Sequence, residues 1–212
     1  NVTIHQLHHP GGRNTISKIQ QKPEINDRVV SQEIAELVKT IPENQGILVF
    51  TFKTRADDQK NYIKTIQKDL QGRGIDTKAT VRVTNSNGYV VDKPRFVFLT
   101  WGQETAHSCF SYCSNVIFAG VLIKPMLDLA ATEIGENDNL FYDVNPSESS
   151  ISELAHVLYQ GLSRGSSRII SNGVACHSNI YLIYHNSDIR PYLNEVLPGV
   201  NWKTWQPIYM NP

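Results

Sequence analysis

The run Gly46-Ile47-Leu48-Val49-Phe50-Thr51-Phe52 constrains the fold more than any other feature of this sequence. Consecutive apolar residues without alternation suit a strand buried on both faces, the environment of a parallel sheet covered by helices on each side. Before this run, Val30, Ile34, Leu37, Val38 and Ile41 recur at helical spacing, so one helix face is apolar and Asn26 or Asp27 can cap its start. Pro42 ends that helix. After the run, Ile63, Ile66 and Leu70 line a stripe that predicts a crossover helix from Asp57 to about Leu70, stopped by Gly72 and Gly74.

Further strands are predicted over Lys78–Val83, Arg95–Thr100, Asn115–Ile123 and Asn179–His185, with a short helix between Glu104 and Phe110. A polar stretch, Glu133 to Ser150, leads to a helix in which Ser150 and Glu153 have capping-box spacing ahead of Leu154, Val157 and Leu158. A short helix or turn at Asp188–Val196 and a tail carrying Trp202, Trp205 and Tyr209 close the pattern. Strands alternating with helices predict an α/β three-layer sandwich with a mostly parallel sheet. Residues 1–24 contain Pro10, Gly11, Gly12 and Pro23 and lack periodicity, so they are expected to form an extended lead-in or linker, with His8 and His9 solvated. One domain, 25–212, remains.

Charge and cysteine content narrow the partners. Lys plus Arg and Asp plus Glu number 20 each, so there is no bulk basic footprint for nucleic acid, and any such partner is held locally. Cys109, Cys113 and Cys176 cannot all be paired, which points to a reducing compartment, the cytoplasm. His107, Cys109 and Cys113 fall short of a ligand set, and no metal is expected. No apolar run approaches the roughly 20 residues of a membrane span. The chain opens on Asn1 without a signal-peptide pattern and reads as a piece of a longer polypeptide.

Several chemistries are excluded by absent motifs. There is no GxxxxGK[ST] phosphate loop, no acidic strand end of the Walker-B type, no GxSxG elbow and no HExxH pair. The strand at Gly46–Phe52 continues into Lys53-Thr54-Arg55 without glycines, which argues against a dinucleotide site or a methyltransferase. A self-sufficient ATPase or dehydrogenase is not expected.

Three segments remain, in a defined order: GILVFTFK; RFVFLTWGQETAH with NVIFAG; and SISELAHVLYQGLSRGSSR. Their order resembles motifs IV, V and VI of superfamily-two helicases, which lie on the second of two RecA-like lobes. The resemblance implies a RecA-like, P-loop-NTPase-type lobe lacking its own P-loop. In motif VI, Gln160 and Arg164 match the family spacing, while Arg168 lies one residue beyond the usual second arginine. The family places these arginines across an interlobe cleft from the ATP γ-phosphate, a role that uses a permanently charged planar fork. The bland alternative is a cation pair at a helix end, favoured by the macrodipole.

In motif V the resemblance implies that Thr100, Gly102 and Thr105 hold a phosphate of the tracking strand, whereas the usual Gly-x-Asp is absent. Trp101 could stack on a base or belong to the core. In motif IV, Lys53 and Arg55 are the candidate phosphate contacts. The implied cofactors are ATP and Mg2+ in the complete protein, held mainly by a missing amino-terminal RecA-like lobe of the same polypeptide. The implied partner is nucleic acid, DNA ahead of RNA. The competing function is a degenerate RecA-like lobe that docks nucleic acid or protein without ATPase.

Overall fold

A computed structural model describes residues 1–19, 29–54, 61–103, 109–136 and 145–210. Its strands are β1 (Val2–Leu7), β2 (Gly46–Thr51), β3 (Thr80–Thr84), β4 (Val90–Pro94), β5 (Phe96–Thr100), β6 (Cys113–Phe118), β7 (Ile170–Ser171), β8 (Val174–Ala175), β9 (Ser178–Ile183) and β10 (Asn201–Thr204). The helices are α1 (Arg13–Ile19), α2 (Val29–Lys39), α3 (Tyr62–Gly72), α4 (Met126–Glu136), α5 (Pro146–Leu162) and α6 (Ile189–Val196).

Six strands form one sheet in the order β10-β1-β9-β6-β2-β5, and every neighbouring pair is parallel. All six residues of β2 are buried, so the sheet is covered on both faces there. Helix α5 lies on the face carrying Phe50 and Phe118, with α4 and α6 packed beside it. The opposite face is left to α2 and α3, which pack on each other and are tied by a hydrogen bond from Ser31 to Asp69. The expected three-layer α/β sandwich is thus the observed architecture.

The first residues differ from expectation. Val2–Leu7 is a sheet strand, hydrogen-bonded between β10 and β9, and not an extended lead-in. Val2, Ile4 and Leu7 are buried, and so is Gln6. The Gln6 amide donates to Tyr184 O and Asn186 O, and its Oε1 accepts from Arg190 Nε. A fully bonded glutamine costs little inside. From sequence alone the same residue looks like a solvated one, and it breaks the apolar signal of the strand.

Two more elements are corrected. Thr80–Thr84 pairs with Val90–Pro94 in a separate antiparallel hairpin, so the strand predicted over Lys78–Val83 lies outside the main sheet. Asn85 Oδ1 accepts from Asn87 N and Tyr89 N and fixes the turn, in which Gly88 has φ +80°. Helix α5 starts at Pro146, not near Ser150: Asn145 Oδ1 accepts from Glu148 N, and proline occupies the first turn, where its missing N–H is harmless. The predicted cap at Asn26 or Asp27, the first residues of the helix predicted from Asp57, and most of the predicted Glu104–Phe110 helix lie outside the described residues.

The carboxyl-terminal tail is held by a buried carboxylate. Glu33 on α2 is 1% exposed, and its oxygens accept from the backbone N–H groups of Ile208, Tyr209 and Met210. Three donors on one carboxylate offset the desolvation of a buried charge.

Candidate functional site

The sheet has two edges that differ in what they present. All six strands run the same way, so one edge collects their carboxyl ends and the other their amino ends. Six residues at about 3.3 Å each set the two edges roughly 20 Å apart.

The segment YQGLSRGSSR lies over the sheet and ends at the amino edge. Helix α5 runs back along β6. A Cβ on Gly161 would sit 2.8 Å from Phe118 Cε1, at the carboxyl end of β6. A Cβ on Gly165 would sit 2.8 Å from Val116 Cγ2 and 2.9 Å from Cys113 O, toward its amino end. Both glycines therefore let the backbone approach the sheet more closely than any side chain permits.

After the cap at Ser163 the chain turns into a short 3-10 helix, Ser166–Arg168. Ser166 Oγ donates to His177 O at 2.8 Å, just ahead of β9, and Ser167 Oγ donates to Leu162 O at 2.8 Å. The β7–β8 hairpin follows, turning at Asn172 (φ 52°) and Gly173 (φ 77°). Its Asn-Gly pair satisfies a two-residue turn with both central residues at positive φ.

Arg164 and Arg168 do not share one environment. Arg164 is partly buried, and its Nε is shielded from water with no hydrogen-bond partner among the described residues. A buried guanidinium donor without a partner is costly, of order 1–3 kcal/mol. Arg168 is exposed at the end of the 3-10 turn. Gln160, still on α5, bonds His156 through Nε2 at 2.7 Å. The glutamine is thus engaged one turn back along its own helix, while Arg164 has left the helix. Behind this segment, burial pushes the Cys113 thiol up to about 12, which removes it as a nucleophile.

The opposite edge carries the phosphate-contact candidates. Thr100 and Thr51 are register partners at the ends of β5 and β2. The Thr100 N–H and hydroxyl both reach Gln103 Oε1, at 2.8 and 3.1 Å. Gly102 is exposed at φ +97° with open space around it, and Lys53 is exposed. Arg55 and Thr105 lie outside the described residues. Thr51 Oγ1 is buried and has no partner among the described residues. Trp101 is core: it is 7% exposed, stacks on Phe50 and Phe118, and donates to Gly120 O at 3.3 Å.

Sequence reasoning missed a third feature of this edge. A cavity of about 700 Å3 opens beside the exits of β1, β2 and β6, with Arg13, Phe52 and Lys124 in its wall. The loop from β1 to α1 packs down on the sheet. Gly11 O accepts from Val121 N at 2.8 Å, and a Cβ on Gly11 would overlap Ile183 O at 2.0 Å. His8 beside this loop is exposed, while His9 is half-buried and its pKa is lowered by desolvation. Among the described residues no group of three or more His, Cys, Asp or Glu side chains is arranged to hold a metal ion. No helix of the described residues is long and apolar enough to cross a membrane.

The sequence matches no protein-family model and no curated protein. Among solved structures it is similar to a chain titled XPD_APO, with a TM-score of 0.50 and 11% sequence identity over 96% of the present chain. The match covers 40% of that chain, so the present sequence spans about two fifths of its length. At this identity the likeness is one of fold: a mostly parallel α/β sheet consistent with a RecA-like domain.

Proposed function

We propose that this RecA-like domain is the second motor lobe of an ATP-dependent nucleic-acid helicase or translocase, with Arg164 as its arginine finger. The observation that carries the proposal is the Arg164 guanidinium: it is partly buried, its Nε lacks a partner among the described residues, and its position is fixed by backbone wedged against β6. An ATP γ-phosphate presented by another lobe is an acceptor of the right charge. A preorganised fork aimed at developing phosphoryl charge gains most from being desolvated. Arg168, exposed on the same edge, is the second cation of the site.

ATP and Mg2+ belong mainly to the other lobe on this proposal. When bound, the nucleotide supplies the reaction, and this chain supplies charge at the transferred group. Lys53, Thr100 and Gly102 at the carboxyl edge would grip the backbone of the strand being tracked, DNA in preference to RNA. Such grips are independent of sequence. Opening and closing of the interlobe cleft would then couple the two edges.

In the complete protein, Arg164→Ala is expected to lower kcat for ATP hydrolysis by about a thousandfold or more, with nucleic-acid affinity unchanged. Arg164→Lys is not expected to restore it, because a point charge does not replace a fork. ATP hydrolysis by the purified 212-residue chain that survives Arg164→Ala would overturn the proposal. A docking module without ATPase is the second reading. It is favoured by Gln160, whose amide is taken by His156 and not by an arginine.

A further inference from the structure

Three serines stand close to Arg164 in the chain, and each spends its hydroxyl on a backbone carbonyl. Ser163 Oγ donates to Tyr159 O at 2.6 Å and Ser167 Oγ donates to Leu162 O at 2.8 Å. Both therefore satisfy carbonyls at the end of α5 and move with that helix. Ser166 is different. It is 7% exposed, and its hydroxyl leaves the helix altogether, donating to His177 O at 2.8 Å, 11 residues onward and across the β7–β8 hairpin.

The carbonyl that Ser166 reaches is a fixed point. On one side of His177, Cys176 N donates to Ile169 O at 2.8 Å; on the other, Ser178 N donates to Asn1 O at 3.1 Å and Ser178 pairs with Val2 in the sheet. Ser166 thus joins the arginine-bearing turn to the start of β9. Gly165 already lies against Cys113 O and Val116, which stops the turn from moving inward. A steric stop does not keep a segment from lifting away, whereas a directional hydrogen bond does. Arg164 is carried between the helix end, where its N–H donates to Gly161 O at 3.1 Å, and the anchor at Ser166.

We propose that Ser166 is a positioning residue for Arg164: its bond to His177 O holds the turn at the height on the sheet that buries the guanidinium Nε and sets where the fork ends. The inference rests on Arg164 as the arginine finger and adds the residue that fixes its pose. A charge displaced by about 1 Å from the transferred phosphoryl group loses about a hundredfold in rate. ATP is held mainly by the other lobe on that reading, so the loss falls on kcat and not on KM.

Two measurements test the inference. In the 212-residue chain, the Arg164 Nε–H resonance is identified by its loss in Arg164→Lys, and its exchange with solvent reports the pose without any nucleotide. Ser166→Ala is expected to speed that exchange by about tenfold or more, with Ser166→Cys, near in size but a weaker donor, falling between. Thr40→Ala removes a hydroxyl bond to Leu37 O at the end of α2 and is expected to leave the exchange unchanged. In the complete protein, Ser166→Ala is expected to lower kcat for ATP hydrolysis by about ten- to a hundredfold at unchanged KM. In an Arg164→Ala background it is expected to cost nothing further. A general loosening of the fold would persist in that background, so the cycle separates positioning from mere stability.

Native exchange of the Arg164 Nε–H in Ser166→Ala overturns the inference and leaves the motor-lobe proposal standing. Native kcat in Ser166→Ala, or the same fractional loss with and without Arg164, does likewise. Native kcat in Arg164→Ala strikes the motor-lobe proposal itself, and the inference falls with it whatever the exchange shows.

Discussion

Along β6 the chain is pressed against the sheet so tightly that Gly161 and Gly165 have no room for a methyl group, and Gly11 after β1 has none either; beyond β5 it rises into a turn with open space for a side chain at Gly102. Gly161 and Gly165 meet Phe118, Val116 and the Cys113 carbonyl, whereas a Cβ added to Gly102 would meet nothing within 4 Å. The difference is one between a rigid mount and a compliant surface. A group that must stabilise charge in a transition state loses rate when misplaced by an ångström, so it belongs on the rigid side. Contacts that must release and re-form on a moving strand belong on elements of low local stability. The placement of Arg164 and of Lys53, Thr100 and Gly102 follows that division.

Beyond the loss of hydrolysis expected for Arg164→Ala, the comparison can be broken by stability measurements. Gly165→Ala should cost about 1–3 kcal/mol in urea unfolding, since the new methyl meets a backbone oxygen that cannot step aside. Gly72→Ala, at the end of α3 with nothing within 4 Å, is the control and should stabilise by roughly 0.5–1 kcal/mol. Similar effects at both positions would remove the idea of a rigid mount.

Gly102→Ala tests the other edge. Here only the positive φ is strained, at about 1–2 kcal/mol, and the urea midpoint should fall. The smallest effect concerns pH. His9 at the carboxyl edge has a folded pKa below its unfolded value near 6.5, so its contribution is intact above that pH and is lost as pH falls through the folded value. His9→Gln should flatten this part of the stability profile below about pH 6.5. Amide exchange should locate the relief at Pro10–Gly12 and leave Ser166–Arg168 unaffected.

Much of the sheet was legible because four of its strands carry uninterrupted apolar runs. Ile47–Phe50, Phe96–Leu99, Val116–Phe118 and Ile180–Ile183 could be placed from sequence for that reason. β1 was not, since Thr3, His5 and Gln6 interrupt it and Pro10 and Gly11 follow it closely. Gln6 shows why burial cannot be read from residue type alone: its partners lie on β9's exit and α6, far along the chain. The start of α5 was misplaced because the Ser150–Glu153 spacing outweighed Asn145-Pro146, a stronger start in physical terms.

At the site, the glycines of GLSRG were legible as a close approach, and the structure supplies the surface approached. The division into two edges was not legible. It depends on the direction in which α5 crosses β6, and periodicity carries no information about that direction. Arg13 and Lys124 were missed for a similar reason, since the cavity they border joins segments about 110 positions apart.

The position of β1 also has a consequence for biosynthesis. His5 and its partner Asn179 are separated by 174 residues, and both neighbours of β1 belong to the last part of the sequence. At synthesis rates of about 5–20 residues per second, β1 waits roughly 10–35 seconds for its first neighbour. During that wait its apolar Val2, Ile4 and Leu7 are uncovered, and the sheet β6-β2-β5 has an open edge where β9 will insert. Such long-range parallel pairing is slow and leaves edges able to recruit other chains. A nascent chain of this protein is therefore a natural client for chaperones until β10 closes the sheet.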